Sequence, residues 1–515
     1  MLTPLLLISA IGAAIVGLWP LPITPARGRQ IALGTTVLSF AWSLMLLWQF
    51  NLTLPGLQFQ ENWPWLADLG LSYDLGLDGL SLPLVVLNGL LMGIAVYSSD
   101  LKIERPRLYF SLVLLLNVGV LGAFLAQNLL LFFLFYELEL IPLYLLISIW
   151  GGGRRGYAAM KFLLYTAVSG ILIFVGFLGV AWLTGSFSVT TALQETPNLP
   201  LTAQLLLLGT LLLGFGIKIP LVPLHTWLPD AHVEASTPVS VILAGVLLKL
   251  GTYGLLRFCV GMFPEAWALV APYLATWAVV TVLYGALTAI AQTDMKKMVA
   301  YSSVAHMGYI LLAAAAGTPL SHLAAVMQMV SHGLISGLLF LLVGVVQKKT
   351  GTRDIQVLRG LLTPERGLPV IGSLMILGVM ASAGIPGMVG FISEFMVFRG
   401  SFAVFPVQTL LCMVGTGLTA VYFLLLVNRS FFGRLPNEFA NLPPVLWRER
   451  WPGVILASLI VALGLQPSWL AHLSQATMAK FVAPVAVTSL TVAHTGASKI
   501  VTANNSDDFV ASPKL

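Results

Sequence analysis

Four ionisable residues stand deep inside apolar stretches: Glu137, Lys218, Lys249 and Glu394. At mid-membrane each charge costs about 2.5–3.5 kcal/mol on insertion scales, so the four unpaired would cost roughly 10–14 kcal/mol. That rivals the whole stability of a domain, about 5–15 kcal/mol. They must therefore face a bundle interior, a partner or water. Desolvation favours a neutral lysine and a nearby carboxylate favours a charged one, so moving the carboxylate turns the lysine into a proton switch. The competing reading is structural: an ion pair for Glu137, snorkelling to a nearby surface for the lysines.

The local sequences sharpen this. Glu137 lies in Phe135-Tyr136-Glu137-Leu138-Glu139-Leu140-Ile141-Pro142. Glu139, about 200° further round an unbroken helix, is expected to face another helix or a partner. Lys218 precedes Pro220 and Pro223, which remove backbone donors and free carbonyls. Such interruptions are tolerated in membranes only inside protein or along a watery cavity. Lys249 is followed by Gly251, which predicts a second loosened helix, and Glu394 follows the Gly/Pro-interrupted stretch around Pro386. His306, one turn after Ser302 and Ser303, can pass protons at physiological pH; His225 and His332 are further relay candidates, or neutral histidines bonded to carbonyls.

The elements that hold these residues follow from composition. Of 515 residues 58% are apolar and 9% charged, against about 25% charged in soluble domains, which excludes a water-soluble globule. Apolar runs long enough to cross about 30 Å recur throughout. They predict an all-α polytopic membrane protein with about 14 transmembrane helices, near 2–20, 31–50, 78–97, 108–125, 127–149, 159–184, 202–225, 237–260, 267–291, 298–316, 322–346, 367–404 (broken), 408–430 and 452–473. Residues 1–20 read as the first span rather than a signal peptide, lacking a basic leader segment and a cleavage site.

Two broken helices, each with an ionisable group, predict inverted repeats in spans 4–8 and 9–13. The resulting division is 1–107 for the first three helices, 108–260 and 261–435 for the repeats, and 436–515 for the last helix and a polar tail. Residues 51–77, with acids and tryptophans but no Lys or Arg, read as a loop on the trans side. Nineteen of the 26 Lys and Arg fall on one side of this arrangement and five, Arg257 among them, on the other, which by the positive-inside rule puts both termini opposite the cytoplasm. Loop 226–236, without Lys or Arg, is the exception.

Other chemistries find little support. Cys259 and Cys412 are isolated in apolar segments and build no iron–sulfur or zinc site. The run at 151–155 is a basic loop, not a nucleotide-binding turn. His225, Asp230, His232 and Glu234 lack a recognised metal-ligand spacing and suit helix caps better. The net charge of +6 forms no basic stripe, which argues against nucleic acid. No metal or redox cofactor is expected on this chain.

The run 135–142, the stretch 218–232 beginning Lys218-Ile219-Pro220-Leu221-Val222-Pro223-Leu224-His225, and Ser302-Ser303-Val304-Ala305-His306-Met307-Gly308 strongly resemble the antiporter-like proton-channel subunits of complex I, densely over spans 4–13. The double-Glu run, and Trp150-Gly151-Gly152-Gly153 followed by Met160-Lys161-Phe162-Leu163-Leu164-Tyr165-Thr166, resemble the cyanobacterial and plastid branch. The resemblance implies Glu137 and Lys218 as the ion pair, Lys249 as the central lysine, His306 as a relay and Glu394 as the terminal group. It also implies other membrane subunits as partners and a thylakoid setting. Electrons would pass from NAD(P)H or ferredoxin through iron–sulfur clusters to plastoquinone, all in other subunits. A cation/proton antiporter subunit of the Mrp type is the alternative that the same broken helices would suit.

Overall fold

Three helices are nearly enclosed by the rest of the chain: Thr237–Val260, Met295–Ala316 and Pro319–Thr350 bury 94–100% of their most apolar windows. Outer helices such as Pro25–Gln49, Arg155–Thr184 and Pro406–Phe431 bury 28–39% and present Leu, Val and Trp outward. A helix apolar all round suits either lipid or a protein core; the enclosed set can carry polar groups at depth on every face, and Lys249, His306 and His332 all lie there. The computed structural model describes residues 1–20, 22–364 and 366–481; the rest of the expected polar tail, with Lys499 and Lys514, lies outside these.

Among the described residues ten helices are long and apolar enough to cross a bilayer, or eleven if the bent pair Trp447–Leu465 and Ser468–Met478 forms one span. The shorter apolar helices Thr3–Leu18, Leu82–Ser98 and Pro369–Ser382 occupy three other expected stretches. Ends are set by local chemistry: the Asn128 side chain accepts from the N–H groups of Leu130 and Leu131, and Asp294 from Lys296 and Lys297. Each satisfies donors that a helix start leaves orphaned.

Breaks occur where proline and glycine place them, with one exception. Leu129–Leu138 and Leu140–Trp150 meet at a seam occupied by Glu139, because Pro142 has no N–H to give the Leu138 carbonyl. Leu201–Lys218 stops at Lys218. Residues 383–388 separate Pro369–Ser382 from Val389–Phe402, and Gly384 and Gly387 turn the chain there at φ 71° and 92°, values costly for any residue with a Cβ. The break expected at Gly251 is absent. Thr237–Val260 runs through it and instead widens into π-turns at Leu243–Leu247 and Leu255–Val260, either side of Lys249.

Three further expectations need correction. Residues 51–77 are not a plain loop: Gln58–Leu66 and Leu71–Leu77 form an antiparallel hairpin, so the fold is helical with one small sheet. The alternation Leu71-Ser72-Tyr73-Asp74-Leu75 is a strand's period of two, and Trp63 stacks on Tyr73 at 5.5 Å. Arg257, assigned to a loop opposite the basic face, is buried and ion-paired to Asp78 at 2.7 Å. Loop 226–236 carries the helix Trp227–Glu234 and borrows its positive charge. Lys161 pairs with Asp230 at 2.7 Å, Arg353 donates to the Val233 carbonyl, and Lys296 donates to the Ala235 carbonyl. Its place on the basic face is thus explained by its neighbours.

Candidate proton-transfer site

The ionisable residues gather into two clusters, one on each side of Thr237–Val260. In the first, Lys218 is ion-paired to Glu139, and both side chains are buried. This corrects the expected pairing with Glu137. The helix phase that pointed Glu139 elsewhere assumes an unbroken helix, and the seam at Glu139 removes that assumption. Glu137 is half-buried, within electrostatic reach of Lys218. Its carboxylate fits against the neighbouring helix because residue 170 is glycine: a Cβ there would collide with it. Tyr136 lies beneath the Lys218 ammonium at 5.0 Å, and its hydroxyl meets Ser169 at 3.3 Å.

The second cluster begins at Lys249, which is fully buried. Its Nζ donates to the Ala244 carbonyl at 2.5 Å, inside the first π-turn, where the ordinary helical hydrogen-bond pattern is relaxed. The same Nζ lies 2.7 Å from His332 Nδ1. On the far side, His332 Nε2 is buried with no hydrogen-bond partner among the described residues, and His332 lines a tight cavity of about 10 Å³, room for about one water. His306 lines the same cavity, its ring centroid 5.6 Å from that of His332.

His306 is held so that one nitrogen stays free to work. Nδ1 sits 2.7 Å from the Ser302 carbonyl, which can only accept, so Nδ1 carries hydrogen. Nε2 faces Glu394 Oε1 at 3.4 Å and the Ser382 hydroxyl at 3.4 Å. Glu394 Oε2 accepts from Thr416 at 3.1 Å, and Thr416 in turn meets the Tyr309 hydroxyl at 3.1 Å. A proton leaving Nε2 therefore has a carboxylate beside it and a hydroxyl pair beyond.

The cavity was not foreseen. Besides the two histidines and Glu394 it is lined by Gln328, Ser331 and Ser336, and Gln328 Oε1, Ser331 Oγ and Ser336 Oγ are buried without partners among the described residues. Such groups are rare in folded proteins, and several converging on one space mark ordered water. The signal was present: 328, 331, 332 and 336 recur at three- and four-residue spacing, a polar stripe along Pro319–Thr350.

Lys218 and Lys249 do not meet. A Cβ on Gly251 would touch Lys218 Cβ at 3.2 Å, so this face of Thr237–Val260 belongs to the first cluster, while Lys249 turns to the opposite face. Nor do His225 and His232 form a site with Asp230 and Glu234: the four disperse to different partners. His225 lies edge-on to Tyr284 at 5.1 Å, outside both clusters, and Glu234 accepts from the Arg154 N–H. His232 is fully buried, stacked on Phe340 at 4.3 Å. Lys296 and Lys249 both act on it electrostatically, but neither of its ring nitrogens has a hydrogen-bond partner among the described residues. Cys259 and Cys412 are buried on separate helices.

Known proteins place this arrangement. Residues 126–419 match the family model described as NADH:quinone oxidoreductase/Mrp antiporter, TM. The chain is 42% identical over 461 residues to NAD(P)H-quinone oxidoreductase chain 4 2 of Thermosynechococcus vestitus, covering 87% of this chain and 86% of that one. It is 47% identical over 424 residues to chain 4 1 of Synechococcus sp. (strain JA-2-3B'a(2-13)), covering 80% and 79%. Among solved structures, a chain of respiratory complex I from Thermus thermophilus superposes with TM-score 0.84 at 29% identity, over 94% of this chain and 100% of that one. A chain of the Mrp complex from Dietzia sp. superposes at 0.82 and 20% identity, over 94% and 98%, which speaks to fold alone. The chain belongs to the family of antiporter-like membrane subunits shared by NADH:quinone oxidoreductases and Mrp antiporters.

Proposed function

We propose that the chain is the proton-translocating membrane subunit of an NAD(P)H- or ferredoxin:plastoquinone oxidoreductase. In this reading it crosses the bilayer fourteen times, with inverted repeats at 108–260 and 261–435 and both termini on the lumenal side of a thylakoid membrane. Redox cofactors sit in other subunits, and other membrane subunits are its partners. The observation that carries the reading is the unbroken relation Lys249, His332, cavity, His306, Glu394. Lys249 gives a proton to His332 Nδ1, His332 releases one from Nε2 to water in the cavity, and His306 Nε2 takes it up and passes it to Glu394.

The first cluster acts as the gate. Charge on Lys218 is balanced by Glu139, and Glu137 is the second carboxylate toward which the ammonium can shift. That shift changes the field at Lys249 across Thr237–Val260. His225 keeps a secondary role at the break after Pro220, and Pro386 shapes the break before Glu394. Moving one charge against 100 mV costs about 2.3 kcal/mol, so each transfer requires coupling to redox free energy.

Two measurements test this. In the assembled complex, Glu137→Gln leaves electron-transfer subunits bound but removes this subunit's share of quinone-driven acidification of membrane vesicles; unchanged acidification would remove Glu137 from the path. The purified chain alone in liposomes shows no sodium-dependent proton exchange; robust exchange without partners would favour the antiporter.

A further inference from the structure

On the face that carries the basic loops, a polar chamber of about 180 Å³ opens between helix ends, lined among others by Arg29, Ser99, Lys348 and Arg448. Its acids are already matched: Asp100 lies 3.6 Å from Lys348, and Glu449 pairs with Lys349 at 2.8 Å. Arg29 and Arg448 have no hydrogen-bond or ion-pair partner among the described residues. Arg29 and Arg448 thus face a polar space whose two acids are engaged by Lys348 and Lys349, an excess of positive charge that selects an anion, and a planar guanidinium suits phosphate or sulfonate oxygens.

The chamber does not end there. Tyr97 and Pro452 line both it and an apolar groove of about 330 Å³, whose walls include Leu33, Val37, Phe40, Ile94, Gly93 and Trp451. From Arg29 to Phe40 the helix rises roughly 16 Å, about half of a 30 Å hydrocarbon core, the depth of one leaflet. Val37 is 54% exposed, so the groove is open along its side. Trp447 and Trp451 stack at its mouth at 5.3 Å, where amphipathic rings mark a membrane interface. Gly93 leaves its floor empty: a Cβ there would touch nothing.

We infer that this chamber and groove form a binding site for a single anionic glycerolipid. Its phosphate or sulfonate headgroup lies on Arg29 and Arg448, and one acyl chain lies in the groove past Gly93. The site shares no lining residue with the proton-transfer cavity and is independent of that cavity's assignment. Basic pockets between membrane helices on the cytoplasmic side bind such headgroups by charge, and the groove adds selectivity for a chain of leaflet depth.

The test is native mass spectrometry of the intact complex, delipidated in detergent and titrated with phosphatidylglycerol or phosphatidylcholine. The wild type should retain the anionic lipid about tenfold better. Arg29→Ala with Arg448→Ala should bring the two lipids to parity, while Arg434→Ala, outside the chamber, should leave the preference intact. Gly93→Phe blocks the groove without touching charge and should lower retention of the anionic lipid by a similar factor. Equal retention of both lipids by the wild type, an undiminished preference in both site variants, or a partner subunit's helix occupying the groove in the assembled complex would overturn the assignment.

Discussion

Lys218 is paired to Glu139 rather than to Glu137, two residues earlier and across a helix seam. Removing one member of a buried pair leaves an uncompensated charge and costs about 3–5 kcal/mol. Glu139→Gln should therefore lower thermal stability of the complex markedly, whereas Glu137→Gln should not. Adding Lys218→Met to Glu139→Gln should restore stability without restoring pumping. If Glu139→Gln is silent in melting curves, the pair is not the resting arrangement.

The cavity between His332 and His306 should be a water site. Ser336→Val takes one orphaned hydroxyl from its wall and adds little volume. Proton transfer through this subunit should slow about tenfold, the effect of ~1.4 kcal/mol on a barrier, so that vesicle acidification per quinone reduced loses most of this subunit's share with an unchanged melting temperature. Wild-type acidification in this variant would mean that the proton passes elsewhere.

Asp78 and Arg257 tie the start of Leu82–Ser98 to the end of Thr237–Val260, and Asp78 also accepts from the N–H groups of Leu80 and Ser81. Asp78→Ala should destabilise the chain by about 3–5 kcal/mol, the cost of leaving a buried partner charge. The check is denaturant unfolding of the purified complex; a loss under about 1 kcal/mol would place the pair among weak surface bridges.

The hairpin should loosen in acid. Burial acts to raise the Glu61 carboxyl, but donors from the amino terminus, the Thr3 hydroxyl and the N–H groups of Leu2 and Thr3 outweigh it and hold it below its ordinary 4.5. A depressed carboxylate contributes stability above its unfolded value, and that contribution is lost as pH falls through the folded value. Protection of the amides in residues 58–77, taken relative to their intrinsic exchange rates, should fall below pH 4.5, and Glu61→Gln should remove that dependence. Protection independent of pH in the wild type would dismiss the latch.

How far these residues were legible depends on what kind of signal they leave. Prolines announce their own breaks, so the interruptions near Pro220 and Pro386 could be read directly. Pro142 was equally visible, yet its effect falls four residues earlier, on the Leu138 carbonyl, and this placed the seam at Glu139. A glycine such as Gly251 permits a break without requiring one, and tight packing against Lys218 and Ile219 keeps that helix intact. The π-turns leave no period in sequence, because they depend on how Thr237–Val260 is enclosed. The hairpin's alternation and the polar stripe of Pro319–Thr350 were present but short, and were overshadowed by the surrounding apolar runs.

Proton-to-electron stoichiometry in the assembled complex carrying Lys249→Ala tests the central claim most directly. With Lys249 gone, His332 loses its partner at Nδ1 among the described residues, and the protons moved per quinone reduced should drop by the share this subunit carries while the complex stays assembled. A ratio identical to wild type would show that Lys249 and the cavity behind it carry no protons.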